Sequence, residues 1–304
     1  MSDFTVNILG CGSAKPSLRH NPSCTVLNIH QSLYMVDCGE GAQQMMMRMG
    51  LKFGKLHNIF LTHLHGDHVL GLVPMLSTMA LDSVGGHVNI YTFPEGIRWI
   101  KEQMAMFAGA PDFNLTYIPV DPKKEEVVFE NSYLTVRTIP LRHRVPCVGY
   151  VFEEKEKLRH INKEMCDFHR VPVSFMKDLQ RGADFTRDDG VVIPNAWLTT
   201  APSPSASYAH IGDTAYMPEI AERIGPVDLL YHETTYTSAF EKEARERYHS
   251  TAAQAAMMAR ACGAKRLLAG HYSSRFKDET PILQEAAAIF PDTILASERL
   301  RLPL

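Results

Sequence analysis

The chain has 304 residues, a length that allows two domains or one large α/β unit with a single core. It is 45% hydrophobic, 21% charged and 9% aromatic, which is an ordinary globular composition. A formal net charge of −3 excludes a basic coat over the whole surface, although a local basic patch for nucleic acid stays possible.

Cysteine usage and hydropathy indicate the compartment. The six cysteines are scattered without a Cys-x-x-Cys pair, so we expect reduced thiols rather than a disulfide framework. The sequence has no apolar run of about 18 residues and no basic-then-apolar start. We therefore expect a cytoplasmic protein that neither spans a membrane nor carries an export signal.

The first half, about 1–150, alternates strand-like and helix-like segments. Short apolar and alternating runs predict four strands: Phe4–Leu9, Thr25–Ile29, Leu33–Val36 and Asn58–Thr62. Helical spacing of apolar residues predicts two helices: Ala42–Met49 and Val69–Leu81.

The alternation returns in the second half, about 205–304. Strands are predicted at Tyr208–Ile211, Val227–Tyr231 and Arg266–Ala269. Helices are predicted at Ala252–Ala261, begun by a Thr251–Gln254 capping box, and near Pro281–Phe290. Two such halves predict a single α/β domain, 1–304, in which two sheets pack face to face with helices outside.

Residues 153–205 interrupt this pattern. The segment is charge-dense at its start and rich in Pro and Ser at its end, and its one helical candidate lies near Val173–Gln180. Fifty residues of weak pattern inside an α/β fold are usually functional or mobile. We interpret the segment as an arm inserted between the two halves.

The segment HLHGDH carries the strongest chemical signal. It places four potential metal ligands within six residues, directly after a predicted strand: His63, His65, Asp67 and His68. Imidazoles and carboxylates are the groups that a borderline cation such as zinc accepts. A lone histidine is usually a surface or core residue, but this spacing is typical of a metal centre.

HLHGDH resembles the signature of hydrolases with the four-layer αββα metallo-β-lactamase fold. Four further segments resemble motifs of that fold: LGCGSAKP, YMVDCGEG, AHIGDT and AGHYSSRF. The resemblance therefore covers nearly the whole chain. It implies that His143, Asp213 and His271 complete the ligand set.

The resemblance also implies two zinc ions per subunit. One ion would be bound by His63, His65 and His143 and the other by Asp67, His68 and His271, with Asp213 bridging. Two metals about 3.5–4 Å apart can hold a hydroxide nucleophile and stabilise both oxygens of a phosphodiester displacement. Manganese and iron stay open, although a histidine-rich site favours zinc.

Two later segments narrow the resemblance to the ribonuclease Z family, endonucleases that mature the 3′ end of tRNA. YHETT at 231–235 resembles the HEAT motif of that family, and YHST at 248–251 resembles its HST motif. The resemblance implies that Glu233 and His249 supply a proton to the departing 3′-oxygen and that Asp67 accepts one from the attacking water. It further implies a precursor tRNA substrate and a homodimer in which the arm of one subunit holds the RNA that the other cuts.

Two segments depart from the family pattern. The loop usually close to PxKxRN reads PSLRHN at 16–21, so Leu18 replaces the lysine and His20 the arginine, while Arg19 could compensate. We otherwise expect His20 to be an ordinary loop residue. The arm lacks the usual Gly-Pro pair, and residues 153–189 have a net charge of −1, so a grip on phosphates by charge alone would be modest.

Two other functions stay open beside the endoribonuclease. An enzyme of the same fold that acts on small phosphodiesters or thioesters would need neither a histidine at the HST position nor an arm. A non-catalytic metal-binding or RNA-binding protein on this scaffold would have lost at least one ligand, yet all seven are present. Arg275 would either meet a substrate phosphate or form a surface salt bridge.

Overall fold

Two seven-stranded sheets form the centre of the molecule, in a computed structural model that describes residues 3–82, 84–107 and 113–304. The strands of the first sheet, in spatial order, are Arg301–Pro303, Phe4–Gly10, Cys24–Ile29, Ser32–Val36, Leu56–Phe60, Gly86–Thr92 and Phe113–Pro119. Those of the second are Thr293–Leu295, Leu267–Gly270, Leu229–Glu233, Ser207–Ile211, Val148–Glu154, Leu134–Pro140 and Val127–Glu130.

Helices follow the strands in both halves. Those of the first half are Ala42–Arg48, Gly66–Val69, Leu72–Leu81 and Pro94–Phe107, with a 3₁₀ turn at Phe53–Lys55. Those of the second half are Ala221–Ile224, Glu241–Arg247, Ala252–Cys262 and Thr280–Ala287, with 3₁₀ turns at Pro218–Ile220 and Ser238–Phe240. The predicted capping box of Thr251 and Gln254 is present, and Gly263 ends that helix in the left-handed conformation. The predicted αββα sandwich is confirmed.

Aromatic side chains fill the space between the two sheets. The ring of Phe60, on the first sheet, stacks on Tyr91 with centroids 4.3 Å apart. It also meets Tyr150 and Phe152 of the second sheet edge-on, at 5.2 and 5.3 Å. Each such pair contributes about 0.5–1.5 kcal/mol beyond its buried area. The end of the strand Leu56–Phe60 is therefore packed against its own sheet and against the opposite one.

One edge of the sandwich gathers the carboxyl ends of several strands. The strand Ser32–Val36 runs parallel to Leu56–Phe60. In the other sheet, Ser207–Ile211, Leu229–Glu233 and Leu267–Gly270 run parallel to one another. Parallel strands end at the same edge, so the loops that follow them lie together. All these strands lie within one or two residues of their predicted bounds.

One predicted helix is divided in two, with a close backbone approach at Gly71 between the parts. The sequence predicts one helix over Val69–Leu81, whereas the structure has a short helix, Gly66–Val69, and then Leu72–Leu81. A Cβ built at Gly71 would lie 2.0 Å from the carbonyl oxygen of Gly39. Only glycine fits there. Helical periodicity describes one segment alone, so it cannot predict this contact with another.

The arm forms a compact unit of its own, made of Glu130–Thr135 and Glu153–Ser205. Its helices are Lys163–Phe168, Met176–Gln180 and Asn195–Leu198, with a 3₁₀ turn at Val173–Phe175, and its paired strands are His160–Ile161 with Thr199–Thr200 and Phe185–Thr186 with Val192–Ile193. Five buried side chains form its core: Cys166, Val171, Leu179, Ile193 and Leu198. The prediction of one helix was incomplete, because elements of two to six residues are too short to show a period.

All six cysteines are buried and carry free thiols. Among residues 3–82, 84–107 and 113–304, no helix has both the length and the hydropathy needed to cross a bilayer.

Gly71 and Gly54 offer a matched pair of substitutions. Gly71→Ala forces a Cβ against backbone, and we expect a loss of about 1–3 kcal/mol or more in the free energy of unfolding. Gly54 has no atom within 4 Å of a built Cβ, so Gly54→Ala stays within about 0.5 kcal/mol of the unchanged protein. Denaturant unfolding of both variants measures the difference, and equal stabilities would contradict the close approach.

Candidate active site

All seven residues of the predicted ligand set converge at the edge where the parallel strands end. The first three are histidines whose ring nitrogens face one another. His63 Nε2 lies 3.0 Å from His65 Nδ1, and His143 Nε2 lies 3.2 Å from the same atom. Three imidazole nitrogens at this separation, with a carboxylate nearby, match the donor set that zinc prefers.

The second group consists of Asp67, His68 and His271. Asp67 Oδ2 lies 3.5 Å from the Nε2 atoms of both histidines. The backbone N–H of Ala14, in the opening loop, donates to the same oxygen at 2.7 Å and fixes the orientation of the carboxylate.

Asp213 lies between the two groups. Its Oδ2 is 3.7 and 3.8 Å from the Nε2 atoms of His63 and His143. Its Oδ1 is 3.5 and 3.1 Å from those of His68 and His271. Each carboxylate oxygen thus faces one group, which is the arrangement that a bridging ligand needs.

The buried Asp37 holds two of the histidines in place. Its carboxylate accepts hydrogen bonds from His68 Nδ1 at 2.7 Å and from the backbone N–H and hydroxyl of Thr62. The hydroxyl of Thr62 also lies 3.1 Å from His63 Nδ1. Because both Nδ1 atoms are engaged, both Nε2 atoms point to the centre of the site.

His143 and His271 are held in the same way. Nδ1 of His143 lies 3.0 Å from the carbonyl oxygen of Tyr248, which can only accept, so Nδ1 carries the proton. Nδ1 of His271 lies 2.9 Å from the hydroxyl of Thr235. The sequence predicts no role for Asp37 or Thr235, although Asp37 stands in the motif YMVDCGEG and Thr235 in the motif YHETT.

Unpaired buried atoms support a cation at this site. The Nε2 atoms of His68 and His271 and Oδ1 of Asp213 are buried and have no hydrogen-bond partner among the described residues. Buried polar atoms are almost always paired, so three unpaired ones in one cluster indicate that a metal ion would bind there. Burial also lowers the pKa of His63, which favours the neutral imidazole that binds metal.

Glu233 and His249 form a buried pair beside these groups. His249 Nδ1 donates to Glu233 Oε1 at 2.8 Å. The carboxylate also accepts from the backbone N–H groups of Thr214, Thr235 and Ser250, each at 3.1 Å. Its place is therefore set by main chain from three segments. With Nδ1 engaged, Nε2 is the atom that His249 can present to a substrate.

The charge of the pair follows from its surroundings. Burial by itself would lower the pKa of His249, but the carboxylates of Glu233 and Asp213 raise it to about 9. Burial would raise the pKa of Glu233, and the charge of His249 together with their hydrogen bond lowers it. A protonated histidine backed by an ionised carboxylate can donate a proton at neutral pH.

A cavity of about 680 Å³ opens over the site. Asp67, Asp213, His249 and His271 lie in its wall, and it also carries four cationic side chains: Lys15, Arg144, Arg247 and Arg275. The guanidinium of Arg275 lies 4.6 Å from the ring centroids of both Tyr236 and Phe240. No carboxylate among the described residues lies within salt-bridge distance of Arg275, so the structure does not show the surface salt bridge that was one of its two expected roles.

The opening loop is fixed by pairs within the protein. Arg19 Nη2 lies 2.7 Å from Glu279 Oε1. His20 lies between Glu279 and Glu298, at 3.0 and 3.1 Å, with only 11% of its side chain exposed. His20 lies in a loop, as expected, but two carboxylates from late in the chain surround it. Leu18, at the position of the missing lysine, is fully exposed.

Comparison with known proteins gives full-length relatives. The ribonuclease Z of Parabacteroides distasonis is 44% identical over 302 residues, covering 99% of both chains. The ribonuclease Z of Porphyromonas gingivalis is 43% identical over 305 residues, covering 100% of both. Two family models match parts of the chain: anti-Pycsar protein Apyc1 over residues 4–158 and the beta-lactamase superfamily domain over residues 185–272.

Solved structures show the same fold. Human tRNase Z, short form, is 24% identical with a TM-score of 0.72 and 98% of both chains covered. The metallo-beta-lactamase fold protein YhfI from Bacillus subtilis is 16% identical with a TM-score of 0.69 and 99% of both chains covered. Each family model covers a part of the chain, whereas the ribonuclease Z relatives align over its entire length. The relatives therefore decide the family. The chain belongs to the ribonuclease Z family of metallo-β-lactamase-fold hydrolases.

Proposed function

We propose that this protein is a zinc-dependent endoribonuclease that removes the 3′ trailer from precursor tRNA, leaving a 3′-hydroxyl on the tRNA and a 5′-phosphate on the trailer. The observation that carries the proposal is the Glu233–His249 pair, 2.8 Å apart, whose histidine lies in the wall of the cavity over the candidate ligands. Such a pair is suited to a leaving group that needs a proton. The ribose 3′-oxygen of RNA is a leaving group of that kind.

Different residues act on the attacking side and on the leaving-group side of the phosphorus. Asp67, fixed by the N–H of Ala14, is placed to accept a proton from the attacking water. His249, held by Glu233, donates a proton to the departing 3′-oxygen. Arg275 and Lys15, in the wall of the same cavity, bind the neighbouring phosphates.

The metal requirement rests on the donor set. His63, His65 and His143 would hold one zinc ion, and Asp67, His68 and His271 the other, with Asp213 shared between them. When bound, two zinc ions supply Lewis acidity to the phosphoryl oxygens and lower the pKa of water at the site. A histidine-rich set of this kind suits zinc better than magnesium or calcium.

The arm is proposed to bind the tRNA away from the cut. It exposes 78% of Phe168 and 58% of Trp197, whose ring centroids lie 4.9 and 6.4 Å from that of His169. Since the arm has little net charge, binding by stacking on bases is better supported than binding by charge on phosphates. A homodimer and a cytoplasmic location complete the proposal. The resemblance supports the first and six free thiols the second.

Cleavage of a precursor tRNA with a 3′ trailer, with both product ends mapped, tests the proposed function. We expect one cut just after the discriminator nucleotide, a 3′-hydroxyl on the tRNA, and loss of cleavage on chelation that added zinc reverses. No cut, by protein that holds two metals and hydrolyses a small phosphodiester, would favour the alternative enzyme of the same fold.

His65→Ala tests the ligand assignment. Nδ1 of His65 is the atom that both His63 and His143 face, so its loss should empty or disorder the site. We expect the zinc content measured by elemental analysis to fall and cleavage to drop to background. His87→Ala removes an exposed histidine whose ring pairs with Asn89 on a strand surface, and should keep both properties. Full zinc content with full activity in His65→Ala would refute the assignment.

His249→Ala tests the proton donor. We expect kcat on precursor tRNA to fall about 10²–10⁴-fold, because the ribose oxygen must leave with a proton. Bis(p-nitrophenyl) phosphate, whose leaving group is stable as an anion, should lose less than about tenfold in the same variant. Equal losses of kcat on the two substrates would show that His249 does not act as the donor.

Phe168→Ser and Trp197→Ser test the grip of the arm. We expect each to raise KM for precursor tRNA by about fivefold or more, since a stacked base is worth about 1–3 kcal/mol. Hydrolysis of bis(p-nitrophenyl) phosphate should not change. Leu81→Ser removes another exposed apolar side chain, outside the arm, and should leave KM unaltered. Unchanged KM in both arm variants would remove the stacking role.

A further inference from the structure

A second cavity, of about 500 Å³, also has His249 in its wall. Its other lining residues play no part in the proposed mechanism: Arg142, Ala215, Tyr216, Glu241, Lys242, Arg245 and Gln254. The candidate ligands Asp67, Asp213 and His271 line only the larger cavity. His249 thus lies at the boundary between the two spaces.

The lining of the second cavity suits a nucleotide. Three cationic side chains and one tyrosine line it, against one carboxylate, that of Glu241, which accepts from Gln254 Nε2 at 3.2 Å. Arg142 is paired with Glu219 at 2.9 Å. Arg245 has no carboxylate within salt-bridge distance in the described part of the chain. The volume lies within the range of about 300–1,000 Å³ that small-ligand pockets have.

The wall of the second cavity is tied directly to the catalytic pair. The helix Glu241–Arg247 ends at Tyr248, whose φ of 59° is left-handed. The carbonyl oxygen of Tyr248 accepts from His143, and the N–H of His249 donates to the carbonyl oxygen of Ala244 at 2.8 Å. The second cavity and the proton donor are therefore built on one continuous segment.

The direction of bond breaking decides which nucleotide would lie in the second cavity. In the proposed hydrolysis the oxygen of water joins phosphorus and the P–O3′ bond breaks. Its electron pair stays on O3′, which takes the proton of His249, while the trailer keeps the phosphate. The sugar that carries O3′ must therefore lie on the His249 side of the phosphorus, and the attacking water must lie on the opposite side, over the ligand cluster.

We propose that the second cavity binds the nucleotide on the 5′ side of the cut, the one that ends in the new 3′-hydroxyl. The inference rests on the proposed function and adds to it the polarity of the RNA strand. The base of this nucleotide stacks on Tyr216, and its own 5′-phosphate meets Arg245 and Lys242. The trailer then occupies the larger cavity, beside Arg275 and Lys15.

A double-mutant cycle that combines Tyr216→Ala with abasic precursors tests whether the second cavity binds the nucleotide 5′ of the cut. Two precursors are made, one abasic at the nucleotide 5′ of the cut and one abasic at the nucleotide 3′ of it. We expect Tyr216→Ala and the 5′ abasic site each to lower kcat/KM by about fivefold or more, with no further loss when they are combined. The 3′ abasic site should add its loss independently, since it lies in the other cavity.

Two controls separate a lost subsite from a damaged protein. Tyr216→Ala should keep the zinc content and the unfolding midpoint of the unchanged protein, and Tyr216→Phe should cleave the intact precursor as the unchanged protein does. If Tyr216→Ala fails to fold, the same cycle is run with Arg245→Gln and a precursor with an uncharged methylphosphonate at the 5′-phosphate of that nucleotide.

The outcomes distinguish this inference from the proposed function. If the losses from Tyr216→Ala and from the 5′ abasic site add independently, or if Tyr216→Ala couples to the 3′ abasic site instead, the subsite assignment is wrong. Cleavage of the intact precursor by the unchanged protein would still support the proposed function. No cleavage of the intact precursor by the unchanged protein would overturn both.

Discussion

The active site depends on one constraint: each of four histidines has its Nδ1 engaged by the protein, so that its Nε2 faces the centre. Asp37 and Thr62 hold His68 and His63, a main-chain carbonyl holds His143, and Thr235 holds His271. His63 and His68 follow a strand of the first sheet, whereas His143 and His271 lie beside strands of the second, so the site can form only when both sheets have packed. The buried nitrogens of His68 and His271 that then lack partners among the described residues are the reason for inferring a cation.

The same network connects the candidate metal centre to the proton donor. The hydroxyl of Thr235 lies 2.9 Å from Nδ1 of His271 and donates to Glu233 at 2.5 Å, and Glu233 accepts from His249. A shift at the metal centre would therefore move the donor as well. This coupling joins the two motifs HETT and HST into one unit, although 14 residues separate Thr235 from His249.

Much of the fold and of the site could be predicted from the sequence, because strand periodicity and ligand spacing are local signals. The strands that end at the site were predicted within two residues, and all seven candidate ligands do converge. What the sequence could not give depends on contacts between distant segments. Nothing near His20 shows that Glu279 and Glu298 will surround it, and nothing near Gly71 shows that the backbone of Gly39 lies against it. The arm has elements too short to show a period, so its small core was missed.

The central claim is that water attacks phosphorus and that the ribose 3′-oxygen leaves with a proton from His249. Cleavage of precursor tRNA in ¹⁸O-labelled water, followed by mass spectrometry of both products, tests it most directly. We expect one ¹⁸O atom in the 5′-phosphate of the trailer and none in the 3′-hydroxyl of the tRNA. A cyclic phosphate on the tRNA, or label in its terminal hydroxyl, would contradict it.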